Sequence, residues 1–201
     1  MVLAEAFDRS YFERFVSFIR TGGYGHRTKS GRYELYRFER PTNKEFPPKI
    51  ELLSRRSDAL EGIDTALGRF RTTDDNYSLS AILLDDDYYQ LLEGGTEVID
   101  GLPVLGLRHL PVFKMHAWAN LMGDRAAGRT VHSDEINKHR SDVCKLCSLF
   151  RPGEKVELPN SVRDEVAYFV EERPWNDNML RGWRLPVDSE GMAELIRSIY
   201  L

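Results

Sequence analysis

Aromatic and aliphatic positions recur every three or four residues from Asp8 to Thr21, where Tyr11, Phe12, Phe15, Phe18 and Ile19 share one face. That period predicts an amphipathic helix. Asp8 stands where a side chain can cap its first turn, and Gly22-Gly23 supplies a left-handed stop. The pattern then changes to the two-residue period of strands. RYELYRFER (Arg32 to Arg40) is rich in β-forming aromatics, PTNKEFPP is a proline-bounded loop, and KIELLSRR alternates Ile50 and Leu52 against Glu51 and Leu53. A short helical turn is expected from Asp58 to Leu67.

SLSAILL (Ser78 to Leu84) is an apolar run whose type periodicity alone leaves open. It leads into DDDYYQLLEGG, which reads as a short helix with acids at its start and glycines at its end. IDGLPVLG reads as one compact strand. Helices follow from Leu110 to about Met122, with Pro111 in the first turn, and from Ser133 to about Arg151, with the stripe Ile136, Val143, Leu146 and Phe150. Two more are expected from Ser161 to Glu172 and from Ser189 to Tyr200, joined by the irregular stretch PWNDNMLRGWRLP. The order predicts an α/β (α+β) chain: a mixed central sheet flanked by helices, with a helical C-terminal tail. Residues 1–151 would form the core, and 152–201 an extension packed on it.

Composition narrows the class. The 201 residues are 41% hydrophobic and 30% charged, as in an ordinary globular chain. A net charge of -4 argues against bulk electrostatic binding of nucleic acid. No apolar run is long enough to span a bilayer, and the opening lacks the basic region and long apolar core of a secretory signal. A cytoplasmic protein is the default. Cys144 and Cys147 form a C-x-x-C inside a predicted helix, where two half-buried thiols on adjacent turns are favoured over a redox or zinc motif.

Four constellations could carry chemistry. Glu51 lies in an otherwise apolar strand, where its carboxylate needs a cation; a divalent metal is one such partner, and an arginine such as Arg55 on a half-exposed strand is another. Asp85 and Asp87 have the alternate spacing of an acid pair, but acids opening a helix explain them better. Lys114 shares a helix face with apolar residues, from which it can snorkel to water or reach a phosphate. In HSDEINKHRSDVCKL, Lys138 and Asp142 can pair at i, i+4, and His139 lies toward the apolar stripe. A metal site of His132, His139 and Asp142 is conceivable there, though a structural histidine beside the Lys–Asp pair is favoured. The chain has no G-x-S-x-G, no Walker-type loop and no H-E-x-x-H.

Taken in order, AEAFDRSYFERFVSFIRTGGY, FPPKIELLSRRSDAL, LSAILLDDDYYQLLEGG, GLPVLGLRHLPVFKMHAWANLMGDRAAG and HSDEINKHRSDVCKL resemble one family. It is an uncharacterised bacterial branch of the nucleotidyltransferase-like superfamily, related to the abortive-infection (AbiEii/AbiGii-type) toxins. The resemblance implies magnesium-dependent transfer of a nucleoside monophosphate from a nucleoside triphosphate to an unknown acceptor. It puts Glu51 where the third metal-binding acid of such proteins stands, as catalytic and metal-ligating residue. It also puts Lys114, Lys138 and Asp142 on helices that support or contact the nucleotide. In such relatives a glycine turn and a D-x-D pair precede the stretch that MVLAEAFD resembles. Here Val2 and Leu3 look like the end of the acid-bearing strand. The expectation is therefore a chain lacking its main metal ligands and inactive as given. Exposed apolar surface from a missing helix would favour a homo-oligomer. The alternative is a non-catalytic interaction module, such as one with an antitoxin-like partner.

Overall fold

The aromatic helix predicted near the start ends where its glycines require it to. In the computed structural model, which describes residues 2–3, 9–25, 37–55, 67–71 and 78–201, helix α1 runs Arg9–Gly22. Gly23 takes φ +61, its N–H donates to Arg20 O at 3.0 Å, and Tyr24 N–H reaches Ile19 O at 3.2 Å. These two bonds are the Schellman pair, and the left-handed φ suits glycine. A Cβ at Gly23 would lie 2.1 Å from Thr42 Oγ1, so the turn also needs the missing side chain.

Strands β1 (Val2–Leu3), β2 (Arg37–Glu39), β3 (Lys49–Arg55), β4 (Leu67–Arg71) and β5 (Ser78–Leu84) form one mixed sheet. Strand β3 is its centre. It runs parallel to β1, with Val2 opposite Leu52, and parallel to β5, with Leu53 opposite Ile82. It is antiparallel to β2, with Phe38 opposite Ile50. Strand β4 pairs antiparallel with β5. The two-residue period sets Ile50 and Leu52 on one side of β3 and Glu51 and Leu53 on the other, and Leu53 is buried too. Ile50 and Leu52 are buried with Phe15, Tyr24 and Phe38, while Ile19 and Phe46 pack against the cluster. Phe15 meets Phe38 edge-on at 5.4 Å, a favoured ring geometry. Phe18 is 40% exposed but still touches Phe46, with ring centroids 4.8 Å apart. The helical turn expected over 58–67 falls mostly outside the described residues, and β4 takes up Leu67 as a strand that LGRFR did not announce.

The chain divides into two compact units, Met1–Tyr89 and Gln90–Leu201, with helix α2 (Asp86–Gly94) running from one into the other. In the second unit IDGLPVLG departs from expectation: it contributes to a hairpin, β6 (Thr96–Ile99) and β7 (Leu102–Leu105). Asp100 and Gly101 turn it with φ 52 and 78, the paired left-handed geometry for which Asp-Gly is suited. Helices α3 (Leu110–Ala126) and α4 (Ser133–Cys147) follow, then α5 (Asn160–Glu172), α6 (Asp177–Gly182) and α7 (Ser189–Tyr200). Helix α6 arises inside the stretch read as irregular, where the Asn176 side chain accepts from Met179 N–H at 3.0 Å. Helix α4 starts at Ser133 as expected and ends at Cys147, short of the expected Arg151.

This unit is an all-helical core with a hairpin. Val112, Met115 and Trp118 of α3, Val143, Cys144 and Cys147 of α4, Val162, Val166 and Phe169 of α5, and Met192, Ala193 and Ile196 of α7 are all buried. Trp118 meets Phe169 edge-on at 5.0 Å. The helices on both sides of residue 152 belong to this one unit. Among the described residues no helix is long and apolar enough to cross a membrane.

Candidate functional site

In the first unit Glu51 is the centre of a charged ladder on the side of the sheet opposite Ile50 and Leu52. Register places Arg37 directly across from it and Lys49 across from Glu39. Arg37 Nε donates to Glu51 Oε1 at 2.8 Å, and Lys49 Nζ stands 2.9 Å from the same oxygen. Lys49 Nζ is also 3.8 Å from Glu39 Oε1, so two acids and two bases interlock across β2 and β3. Partial burial pushes the Glu51 carboxyl upward, but hydrogen bonding and charge from Lys49, and then from Arg37, outweigh it and hold the group below the usual carboxylate range. The cation an acid on this strand requires is thus supplied by the protein itself. Arg55, the partner considered from sequence, instead donates from Nε to Asp86 Oδ1 at 2.7 Å and lies over the Tyr89 ring.

The acid run at 85–87 opens α2. Asp85 Oδ1 accepts from Tyr88 N–H at 2.9 Å and Asp85 O from Tyr89 N–H at 2.9 Å, the bonds of an N-cap. Asp86 and Asp87 occupy the first helical turn, where the helix dipole favours acids.

In the second unit Lys114 of α3 and Asp142 of α4 come together. Lys114 Nζ is 3.1 Å from Asp142 Oδ2, with 25% and 30% of the two side chains exposed. Asp142 therefore engages the neighbouring helix, and Lys138, its expected i, i+4 partner, is solvent-exposed. A half-buried carboxylate gains more from a half-buried amine than from one in water, where the Coulomb attraction is several-fold weaker. Two residues further along α3, His116 Nδ1 lies 3.0 and 3.1 Å from the Glu165 carboxylate oxygens on α5. Helix α3 is thus tied to α4 by one polar pair and to α5 by another. The second pair spans 49 residues of sequence and left no local signal.

His132 is exposed and His139 half-buried, and among the described residues no three His, Cys, Asp or Glu side chains gather as metal ligands. The C-x-x-C thiols are buried in the α4 stripe. Burial pushes Cys144 up to about 12 and Cys147 well above the ordinary thiol range, so neither is a thiolate near neutrality.

Magnesium would need oxygen ligands free to approach it. Glu51 meets the requirement of ionisation, but it is already held by two cations, and among the described residues it belongs to no group of three or more His, Cys, Asp or Glu side chains that could hold a metal. The described residues around Glu51 do not by themselves supply the several oxygen ligands the ion takes. In comparisons with known proteins, no family model, no curated protein and no solved structure matches the chain.

Proposed function

We propose that this is a nucleotidyltransferase-like protein that binds a nucleoside triphosphate, with the described residues serving recognition rather than metal-assisted transfer. The observation that carries the reading is the parallel pairing of β1 with β3, which sets Val2 opposite Leu52, the residue after Glu51. A strand lying beside the Glu51 strand is what the family resemblance implies for the acid-bearing strand, and β1 occupies that place.

Lys114 is the phosphate-facing group in this reading. Asp142 holds its ammonium at the α3–α4 seam without burying it fully, so a triphosphate can compete for it as a stronger anion. Lys138 is exposed and adds a second, weaker attraction. Glu51 keeps Arg37 and Lys49 ordered on the sheet face. No step is assigned to magnesium.

A second reading, a non-catalytic interaction module with a protein partner such as an antitoxin, is favoured by the exposed apolar hairpin β6–β7. Calorimetric titration of the full chain with each of the four ribonucleoside triphosphates separates the two. Binding of at least one, weakened about tenfold by Lys114→Met as expected for a lost charge-assisted hydrogen bond, supports the first reading. No heat with any triphosphate overturns it.

A further inference from the structure

The hairpin β6–β7 leaves one strand edge open and the other blunted. Gly106 N–H donates to Gly95 O at 2.9 Å, and Gly95 lies opposite Gly106 one step beyond the Thr96–Leu105 pair. Bonded and non-bonded pairs alternate along an antiparallel ladder. Glu97 with Val104 and Ile99 with Leu102 are therefore the mutually bonded pairs, while the backbone groups of Thr96 and Val98 point outward along β6. On the other strand the outward position opposite Val98 is Pro103, which has no N–H to offer. Among the described residues no third strand pairs with this sheet.

The open edge carries one charged side chain, Glu97, among otherwise uncharged residues. All four β6 residues are exposed, Val98 to 75%, and across the turn Leu102 is 66% exposed. Protected edges carry charge, proline or a bulge. Strand β7 has its proline, whereas the outward residues of β6 are a threonine and a valine.

We propose that β6 pairs antiparallel with the β6 of a second copy of this chain, joining the two hairpins into one four-stranded sheet. The register is set by Glu97. Centred on Glu97, the junction would oppose two like charges directly, which is destabilising. Centred on Val98, it places each Glu97 opposite the other copy's Ile99, and the two Val98 residues exchange N–H···O bonds about a two-fold axis. Such an interface is isologous and closes at two copies. Pro103 at the opposite edge keeps the sheet from growing further. The junction is only a few residues long, so the dimer depends on concentration.

Light scattering and sedimentation equilibrium on the full chain, from dilute to concentrated solution, test this. The wild type is expected to pass from monomer to dimer, and Val98→Lys, which sets two ammonium groups across the axis, to stay monomeric with an unchanged circular dichroism spectrum. Val98→Cys is expected to form a covalent dimer on mild oxidation, because facing Cα atoms in a bonded pair lie about 5.5 Å apart, within disulfide reach. The native thiols are buried and do not compete. A wild type that stays monomeric at every concentration overturns the proposal. So does a dimer that Val98→Lys leaves intact or that Val98→Cys fails to lock.

Discussion

Lys114 on α3 and Asp142 on α4 meet at 3.1 Å across the helix seam, although Lys138 stands one turn before Asp142 on Asp142's own helix. The tertiary pair prevails over the local one because both its members are half-buried. A double-mutant cycle with Lys114→Met and Asp142→Asn, read by urea denaturation, is expected to give a coupling of about 0.5–1 kcal/mol. The cycle pairing Lys138→Met with Asp142→Asn is expected to give none. Coupling in the second cycle and not in the first would reverse the assignment.

Glu51 links the sheet to pH. Its carboxyl is held below the ordinary range in the folded chain, so its contribution to stability is present above the unfolded-state value near 4.5 and is lost as pH falls through the lowered folded value. Glu51→Gln is expected to cost about 1 kcal/mol at neutral pH, because Arg37 and Lys49 lose their acceptor charge, and to flatten the acid side of the stability profile. Denaturant midpoints measured across the acid range for both proteins check this. Parallel profiles would show that the ladder carries no such linkage.

Gly23→Ala is expected to be among the more damaging single changes outside the core. The residue has φ +61, and its new Cβ would collide with Thr42 Oγ1. Strain and clash together place the loss at roughly 1–3 kcal/mol. Gly123→Ala meets nothing within 4 Å on the helical stretch of α3, and is expected to be neutral or slightly stabilising. Equal melting temperatures for the two variants would contradict the comparison.

Cys144 and Cys147 are expected to resist alkylation in the folded protein at mildly alkaline pH. Both are buried, and Cys144 is pushed up to about 12. Labelling should appear only with unfolding and follow the denaturation curve. Rapid native-state reaction of either thiol would argue for an accessible motif.

The helices were legible in the sequence because their signals are local: the aromatic stripe before Gly22-Gly23, Pro111 at the start of α3, and the acids opening α2. The alternation also set Ile50 and Leu52 on one face of β3 and Glu51 on the other, as the β2–β3 pairing has them. The partners of Glu51 were harder. Lys49 shares its face two residues away, but Arg37 reaches it only through the β2–β3 register, which the proline-bounded loop hid. The hairpin was missed for a different reason. Asp100-Gly101 between TEVI and LPVL is a turn signal, yet the short apolar run IDGLPVLG spans the turn and reads as one strand. Helix α6 depends on the Asn176 cap and on burial of Leu180, and six residues between two tryptophans are too few to show a period.

The most direct test of Glu51 as a ladder residue rather than a metal ligand is a manganese(II) titration followed by water-proton relaxation, run on the wild type and on Glu51→Gln. The expected result is the same weak response from both proteins, because Arg37 and Lys49 already occupy the carboxylate. A saturable wild-type site that disappears in Glu51→Gln would contradict it, and would return Glu51 to metal chemistry.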